Sequence, residues 1–227
     1  NNNEIPIIIY DIQEEIINQL QSNKQHPFFH PGITLPGNVA ATTNLSQAIL
    51  KTNLIVLAIP SKFFRSAAKS LATELEKDQK VIFLNLAKGL EEESNKRISE
   101  ILVEELPEHN YQYTTLSGGM IASEVTTDAA LGADIACENI EIAELLKRLI
   151  QNDFLKIRTS TDVIGTELCG ALKNVAAIGA GIFDGLGLKE SSKSGFITTV
   201  AKEMQDLALK LGAESQTFAP GSHAWWG

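Results

Sequence analysis

The chain is poor in the residues that several function classes need. It has two cysteines, Cys137 and Cys169, far apart in sequence. Neither a zinc knuckle nor a redox CxxC pair is available, no structural disulfide is expected, and the chain reads as cytoplasmic. Basic residues are outnumbered, 19 Lys and Arg against 28 Asp and Glu, for a net charge of −9. That argues against a nucleic-acid partner, because phosphate binding relies on clustered Lys and Arg. No apolar run approaches the ~20 residues that span a bilayer, so no membrane span is expected. The opening "NNNEIPIII" lacks the basic region and cleavage site of a signal peptide. No GxGxxG occurs, and "GLGL" at Gly185–Leu188 lacks the third glycine. The remaining composition, 44% hydrophobic and 21% charged, is that of an ordinary globular protein.

What is present is alternation. Up to about Ser160, short β-branched runs alternate with helical patterns, the signature of βαβ units and a parallel sheet. "IPIIIYD" (Ile5–Asp11), "NLIVLAI" (Asn53–Ile59) and "KVIFLNL" (Lys80–Leu86) are expected as strands, the first two as buried ones. Tyr113–Leu116 and Phe154–Ser160 follow as further strands. Helices are expected over roughly Gln13–Gln21, from an Asn44 or Ser46 cap to near Lys51, over Lys62–Leu75 with Ser61 as N-cap, and over Ser94–Leu106. From Asp162 to Leu211 only helical periodicity remains, broken at "DGLGLKESSKSG". The first of these helices is apolar on all faces and is expected to be buried. A boundary near Ser160 would separate a domain at 1–160 from a helical one at 161–227.

Ligands of an open parallel sheet bind beyond the carboxyl ends of its strands. Those ends carry Asp11, Pro60-Ser61, Ala87-Lys88-Gly89 and Ser117-Gly118-Gly119. Singly these read as turn residues and a solvated lysine; their shared edge points to a site. Asp11 fits the acid that accepts from an adenosine ribose hydroxyl, although the glycine fingerprint that goes with it is absent.

Lys173 is the sharper signal. It is the single lysine in "ELCGALKNVAAIGAGIFDG", where little else between Glu167 and Asp184 is charged. Its stem could pack while its head reaches water. Cys169, Gly170, Ala176 and Ala177, its neighbours at helical spacing, offer no solvated face, which favours a catalytic or substrate lysine. Burial would lower its pKa towards the roughly 7–8 that suits a general acid or base.

"HPGITLPGNV", "LAIPS", "AKGLE", "DVIGTEL", "GALKNV", "AIGAGIFDGLGL" and "FITTVAKEM" occur in the order found in the NAD(P)-dependent glycerol-3-phosphate dehydrogenases. The chain resembles the bacterial branch from about Ile7 to Phe218. This resemblance implies a Rossmann-type doubly wound parallel sheet followed by an all-helical substrate domain. It implies hydride transfer between NAD or NADP and C2 of glycerol 3-phosphate, with dihydroxyacetone phosphate as the ketone. Separately, the slim apolar helix Val163–Phe183 is expected to pack on Phe196–Leu211 and to need a further cover, from residues outside this sequence or from a second subunit in a homodimer. Lys173 resembles the general acid/base at the C2 oxygen, and Lys88 the second lysine, near both substrate and nicotinamide. Asn174 and Gly118 would touch substrate, while Phe63 and Ala122 would line the cofactor.

Several positions depart from the family. The resemblance opens at the family's second strand, and in the order 3-2-1-4-5-6 the first is central, so the sheet is not expected to close as written. "FAPGSHAWWG" stands where the family continues with glycines, an aspartate and an Arg-Asn pair. Gly119 and Met120 replace Pro and Ser/Thr, and Lys193 and Thr199 replace arginines. Two alternatives therefore stay open: a relative that has lost catalysis, and a dehydrogenase of the wider superfamily acting on another hydroxy acid.

Overall fold

The structure, a computed structural model, describes residues 5–127 and 129–226. Strands and helices alternate as β1 (Ile7–Tyr10), α1 (Glu14–Ser22), β2 (Val39–Thr42), α2 (Leu45–Ile49), β3 (Leu54–Leu57), α3 (Ser61–Glu74), β4 (Val81–Asn85), α4 (Ile98–Glu105) and β5 (Tyr111–Gly118). They continue with α5 (Ala122–Val125), β6 (Leu131–Ala136), α6 (Ile140–Ile150) and β7 (Leu155–Ser160). Helices α7 (Val163–Gly185) and α8 (Glu190–Lys210), a 3₁₀ turn (Ser215–Phe218) and α9 (His223–Trp226) complete the chain.

The expected α/β architecture is present, with one reversal. β3-β4-β5 run parallel, β6 pairs antiparallel to β5, and β7 runs parallel to β6. The sheet is therefore mixed rather than wholly parallel. Strand β4 shows why it is doubly covered. Val81 and Phe83 point into a core with Phe64, Ala68 and Leu71 of α3 and Ile101 and Leu102 of α4. Leu84 points the other way, towards Ala143 and Leu146 of α6. Alternate residues of a strand face opposite sides, so both faces need a helical cover.

β1 and β2 form a sheet of their own, hydrogen-bonded to each other and to no other strand among the described residues. This agrees with a sheet that does not close. It also corrects the expected burial of Ile5–Asp11: Ile7, Ile8 and Tyr10 are exposed, because one edge of β1 is unpaired among the described residues and its sheet is covered chiefly by the short helices α1 and α2. Val56 in β3 is exposed as well.

Local chemistry explains most boundaries. Asn44 caps α2 by accepting from the Gln47 amide at 3.0 Å. Ser61 is the first helical residue of α3 rather than its cap; Pro60 takes the cap position without a side-chain bond. α4 starts at Ile98, not Ser94, because Asn95 takes a positive φ of 56° and the Glu91 amide bonds to the Lys96 carbonyl in a turn. β2 ("VAAT") and β6 ("LGADIA") were not anticipated; both are rich in alanine and lack a β-branched run.

α7 corrects the expectation of a helix buried on every face. Gly165 to Gly170 are buried, whereas Val175, Ile178 and Ile182 are exposed. α8 covers part of the remainder, with Phe196 stacked on Phe183 at 5.0 Å and set against Gly179. By length and composition α7 is apolar enough to cross a membrane, contrary to the expectation of no such run. Its packed first half carries Glu167, which is how the core helix of a folded domain reads.

Candidate active site

The site is best built from α7 outward. Asp162 caps the helix, accepting from the Gly165 amide at 2.8 Å, and its second oxygen accepts from the Glu214 amide at 2.8 Å and from the Thr217 hydroxyl. Six residues before Lys173, Glu167 is buried and accepts from the Ser99 amide at 3.0 Å, the Ser99 hydroxyl at 2.6 Å, the Tyr113 hydroxyl at 2.6 Å and Arg97 at 3.1 Å. A buried carboxylate is tolerable only when so fully bonded. Burial and the Glu167 charge push the Tyr113 phenol well above its ordinary value.

Further along the same stripe Gly170 meets β5. A Cβ at Gly170 would lie 3.1 Å from the Ser117 hydroxyl oxygen and 3.8 Å from Cγ of Lys88. Ser117 is buried, and its hydroxyl has no hydrogen-bond partner among the described residues. One turn on, the Lys173 amine donates to the Gly118 carbonyl at 2.7 Å. Its head therefore ends on a backbone oxygen, in a side chain that is half-buried. Burial, then the Lys88 charge, lower its pKa from the ordinary 10.5 to about 8, with Cys169 and Asp134 acting weakly the other way.

Lys88 projects from the turn after β4. The buried Asn85 side chain holds that turn, accepting from the Ala87 amide at 3.0 Å and donating to the Ala87 carbonyl at 3.1 Å. Gly89 has a φ of +119°, and a Cβ there would come within 3.2 Å of the Ser61 hydroxyl oxygen. The carboxyl ends of β3, β4 and β5 thus converge with α7.

The sequence candidates divide accordingly. Lys88, Gly118 and Lys173 come together. Gly118 sits in β5, where a Cβ would lie 2.3 Å from the Gly132 carbonyl oxygen, so its backbone is fixed as well as its carbonyl used. Phe63, in the first turn of α3, is exposed, with the Lys62 ammonium 4.7 Å over its ring. Ala122, the first residue of α5, is exposed, as is Asn174 beside Lys173. Asp11 lies on the separate sheet and accepts from the Gln13 amide at 2.8 Å, as a turn residue does. Met120 packs against the core of β5, β6 and α6. Lys193 pairs with Asp184 and Glu190, and Thr199 bonds back to the Gly195 carbonyl within α8. Both cysteines are buried free thiols, with burial raising the pKa of each.

Sequence reasoning missed the carboxylates. Asp134, at 1% exposure, accepts from Nε and Nη2 of Arg158 at 3.1 and 2.7 Å, from the Ser222 hydroxyl at 3.0 Å and from the Ala224 amide at 3.1 Å. It anchors the "SHAWW" segment to β6 and β7, while Asp162 holds Glu214 and Thr217 to the start of α7. Asp162 had a usable signal, an Asp just before an apolar helical pattern. Glu167 had one too, an acid in the same apolar stretch as Lys173. A cleft of about 500 Å³ contains neither lysine; its lining includes Arg97, Ser99 and Tyr113, the donors to Glu167.

Two family models match the sequence: "NAD-dependent glycerol-3-phosphate dehydrogenase N-terminus" over residues 1–143 and the C-terminus of the same description over 162–224. The chain belongs to the NAD-dependent glycerol-3-phosphate dehydrogenase family. It is 38% identical over 212 residues to the glycerol-3-phosphate dehydrogenase [NAD(P)+] of Fusobacterium nucleatum, covering 93% of this chain and 63% of that protein. The Lysinibacillus sphaericus protein of the same name is 39% identical over 208 residues, covering 91% and 60%. The chain thus spans less than two thirds of these relatives' length. The crystal structure of the Coxiella burnetii glycerol-3-phosphate dehydrogenase superposes with a TM-score of 0.89 at 22% identity, over 98% of this chain and 66% of that one. At that identity the likeness is one of fold.

Proposed function

We propose that this chain carries out reversible hydride transfer between NAD(P) and C2 of glycerol 3-phosphate, in the supply of glycerophospholipid precursors in the cytoplasm. The observation that carries the reading is Lys173: a half-buried amine bonded to a backbone carbonyl, with its pKa brought to about 8, beside a second lysine at the carboxyl ends of the strands. Near neutral pH such a group holds a proton it can release. As ammonium it protonates the oxygen forming at C2 during reduction, and as amine it takes that proton during oxidation. Lys88 adds a second cation where that oxygen gains charge. Gly118 and Asn174 would border the substrate.

The residues present fit a nicotinamide in part. The Lys88-Gly89 turn packs on Ser61 at the start of α3, and Phe63 lies open in the same turn of helix, an apolar face suited to a planar ring. Ala122 would line the same group from α5, and Asp11 would meet the ribose. When bound, the nicotinamide supplies or accepts the hydride. The carboxylate of Asp11 would repel a 2′-phosphate, so NAD is preferred over NADP. Residues 1–160 would form the cofactor-binding unit and 161–227 the substrate unit, assembled as a homodimer.

The test is oxidation of NADH by the full chain with dihydroxyacetone phosphate, against Lys173→Met and with NADPH as the competing cofactor. Turnover that depends on both the ketone and Lys173 supports the reading. Turnover unchanged in Lys173→Met overturns it, and a clear NADPH preference overturns the role of Asp11.

A further inference from the structure

α7 meets β5 at successive points of one stripe. Glu167, Gly170 and Lys173 follow each other at intervals of three, which on an α-helix is a slowly turning row about 9 Å long. Each faces a residue at the start or end of β5: Glu167 bonds to Tyr113 at 2.6 Å, Gly170 lies against the unpartnered Ser117 hydroxyl, and Lys173 bonds to Gly118 at 2.7 Å. Only the first and last contacts are hydrogen bonds. The middle one is a close approach that glycine permits, so by itself it does not prevent sliding.

Of the two hydrogen bonds, the one from Tyr113 to Glu167 ties α7 to β5 away from Lys173 itself. It is braced at both ends. On the helix side Glu167 also binds Arg97 and Ser99 at the start of α4. On the strand side Tyr113 is two residues from Thr115, whose hydroxyl lies 3.5 Å from the Asn85 amide nitrogen. Asn85 is the residue that holds the turn carrying Lys88. One largely buried polar row thus lies between the two segments that present the lysines.

We propose that Tyr113 and Glu167 are positioning residues, which set the register of α7 on β5 and so the placement of Lys173 opposite Lys88. The proposal rests on the dehydrogenase reading for its consequence in turnover, but not for its consequence in Lys173 itself. The charged or ionisable groups that act on Lys173 are Lys88 from the turn after β4, Asp134 from β6 and Cys169 from its own helix. A shift of α7 changes the burial of Lys173 and its distance to Lys88 and Asp134, while Cys169 moves with it.

The experiment is Tyr113→Phe in the full chain, which removes one hydroxyl and leaves Glu167 with its Ser99 and Arg97 donors. The pKa of the Lys173 amine is read directly, by the pH dependence of its acylation with acetic anhydride, mapped by mass spectrometry. Turnover and melting temperature are measured in parallel. Positioning requires the Lys173 pKa to rise from about 8 towards the ordinary lysine value. It also requires kcat to fall by about 10- to 100-fold with KM little changed, the cost of misplacing a reacting group. A purely structural bond would lower the melting temperature and leave the amine at about 8, and that result overturns the proposal. If the parent chain shows no hydride transfer while the amine still shifts in Tyr113→Phe, the dehydrogenase reading fails and the positioning stands. Should Tyr113→Phe not accumulate as folded protein, Ser99→Ala withdraws a different donor from Glu167 and is judged by the same two results.

Discussion

The Lys173 amine donates to the Gly118 carbonyl at 2.7 Å, joining the middle of α7 to the last residue of β5 across 55 positions of sequence. This bond bears on the two uses of a lysine in an apolar helix. A stem-packed surface lysine ends in water; this one ends on a backbone oxygen. Lys173→Met keeps the stem and removes an ammonium that is costly to bury. The expected outcome is an unchanged or higher melting temperature together with turnover lower by roughly 10²–10⁴, the range of acid–base groups. Circular dichroism melting and steady-state kinetics check both halves.

The depressed pKa also predicts how stability varies with pH. In the unfolded chain Lys173 titrates at its ordinary 10.5, and in the folded chain at about 8. Below pH 8 both states hold the proton, and the folded state bears the full penalty of the buried ammonium. Between those values the unfolded state binds more protons, so this group's contribution to stability rises with pH. Subtracting the Lys173→Met melting curve from the parent's isolates the term. The parent should gain on the variant from about pH 8 to about pH 10.5, by an amount that partial solvent access at Lys173 keeps small. A difference flat with pH would refute the shift.

The same residue marks what was legible in the sequence. Lys173 stood out because one charge in an apolar helix must be either paired or useful, and strand order brought Lys88 and Gly118 to the same edge. Burial was misjudged where it depends on neighbours from elsewhere in the fold. β1 looked buried because "IPIII" is apolar, yet its exposure is decided by an edge without a partner strand. The second half of α7 looked buried for the same reason, and Ile178 is 66% exposed because α8 covers only one side. The antiparallel turn of β6 left no trace in composition. Glu167 was readable as an acid out of place, but its donors lie 54 to 70 positions away, beyond the reach of any local pattern.

Asp162 is the hinge between the sheet and the C-terminal segment. It caps α7 and holds Glu214 and Thr217, so Asp162→Ala loses a cap and leaves buried donors unpaired. A loss of about 2–4 kcal/mol is expected, from the cap and the orphaned amides together. The segment from 211 to 226 should also become the first site of limited proteolysis, because its other anchor, Asp134, holds only residues 222–224. Digestion starting elsewhere, with the parent's stability retained, would show that Asp134 alone suffices.

Two glycines separate freedom from necessity along the same elements. Gly181 lies in the exposed half of α7, where an added Cβ meets nothing within 4 Å. Gly181→Ala should stabilise by roughly 0.5–1 kcal/mol, since glycine in a helix interior costs about that much relative to alanine. Gly118 is the opposite case. A Cβ there would lie 2.3 Å from the Gly132 carbonyl oxygen and 2.7 Å from Cα of Ala133, and both are backbone atoms of β6 that no rotamer change can move aside. Gly118→Ala must therefore spread β5 from β6, at a cost of at least about 2 kcal/mol. Because the Gly118 carbonyl is what Lys173 bonds to, the same substitution should release the amine and raise its pKa, which acylation against pH would show. A Gly118→Ala variant as stable as the parent, with Lys173 still titrating near 8, would mean that β6 yields easily and that the lysine is held by the pocket as a whole rather than by this one carbonyl.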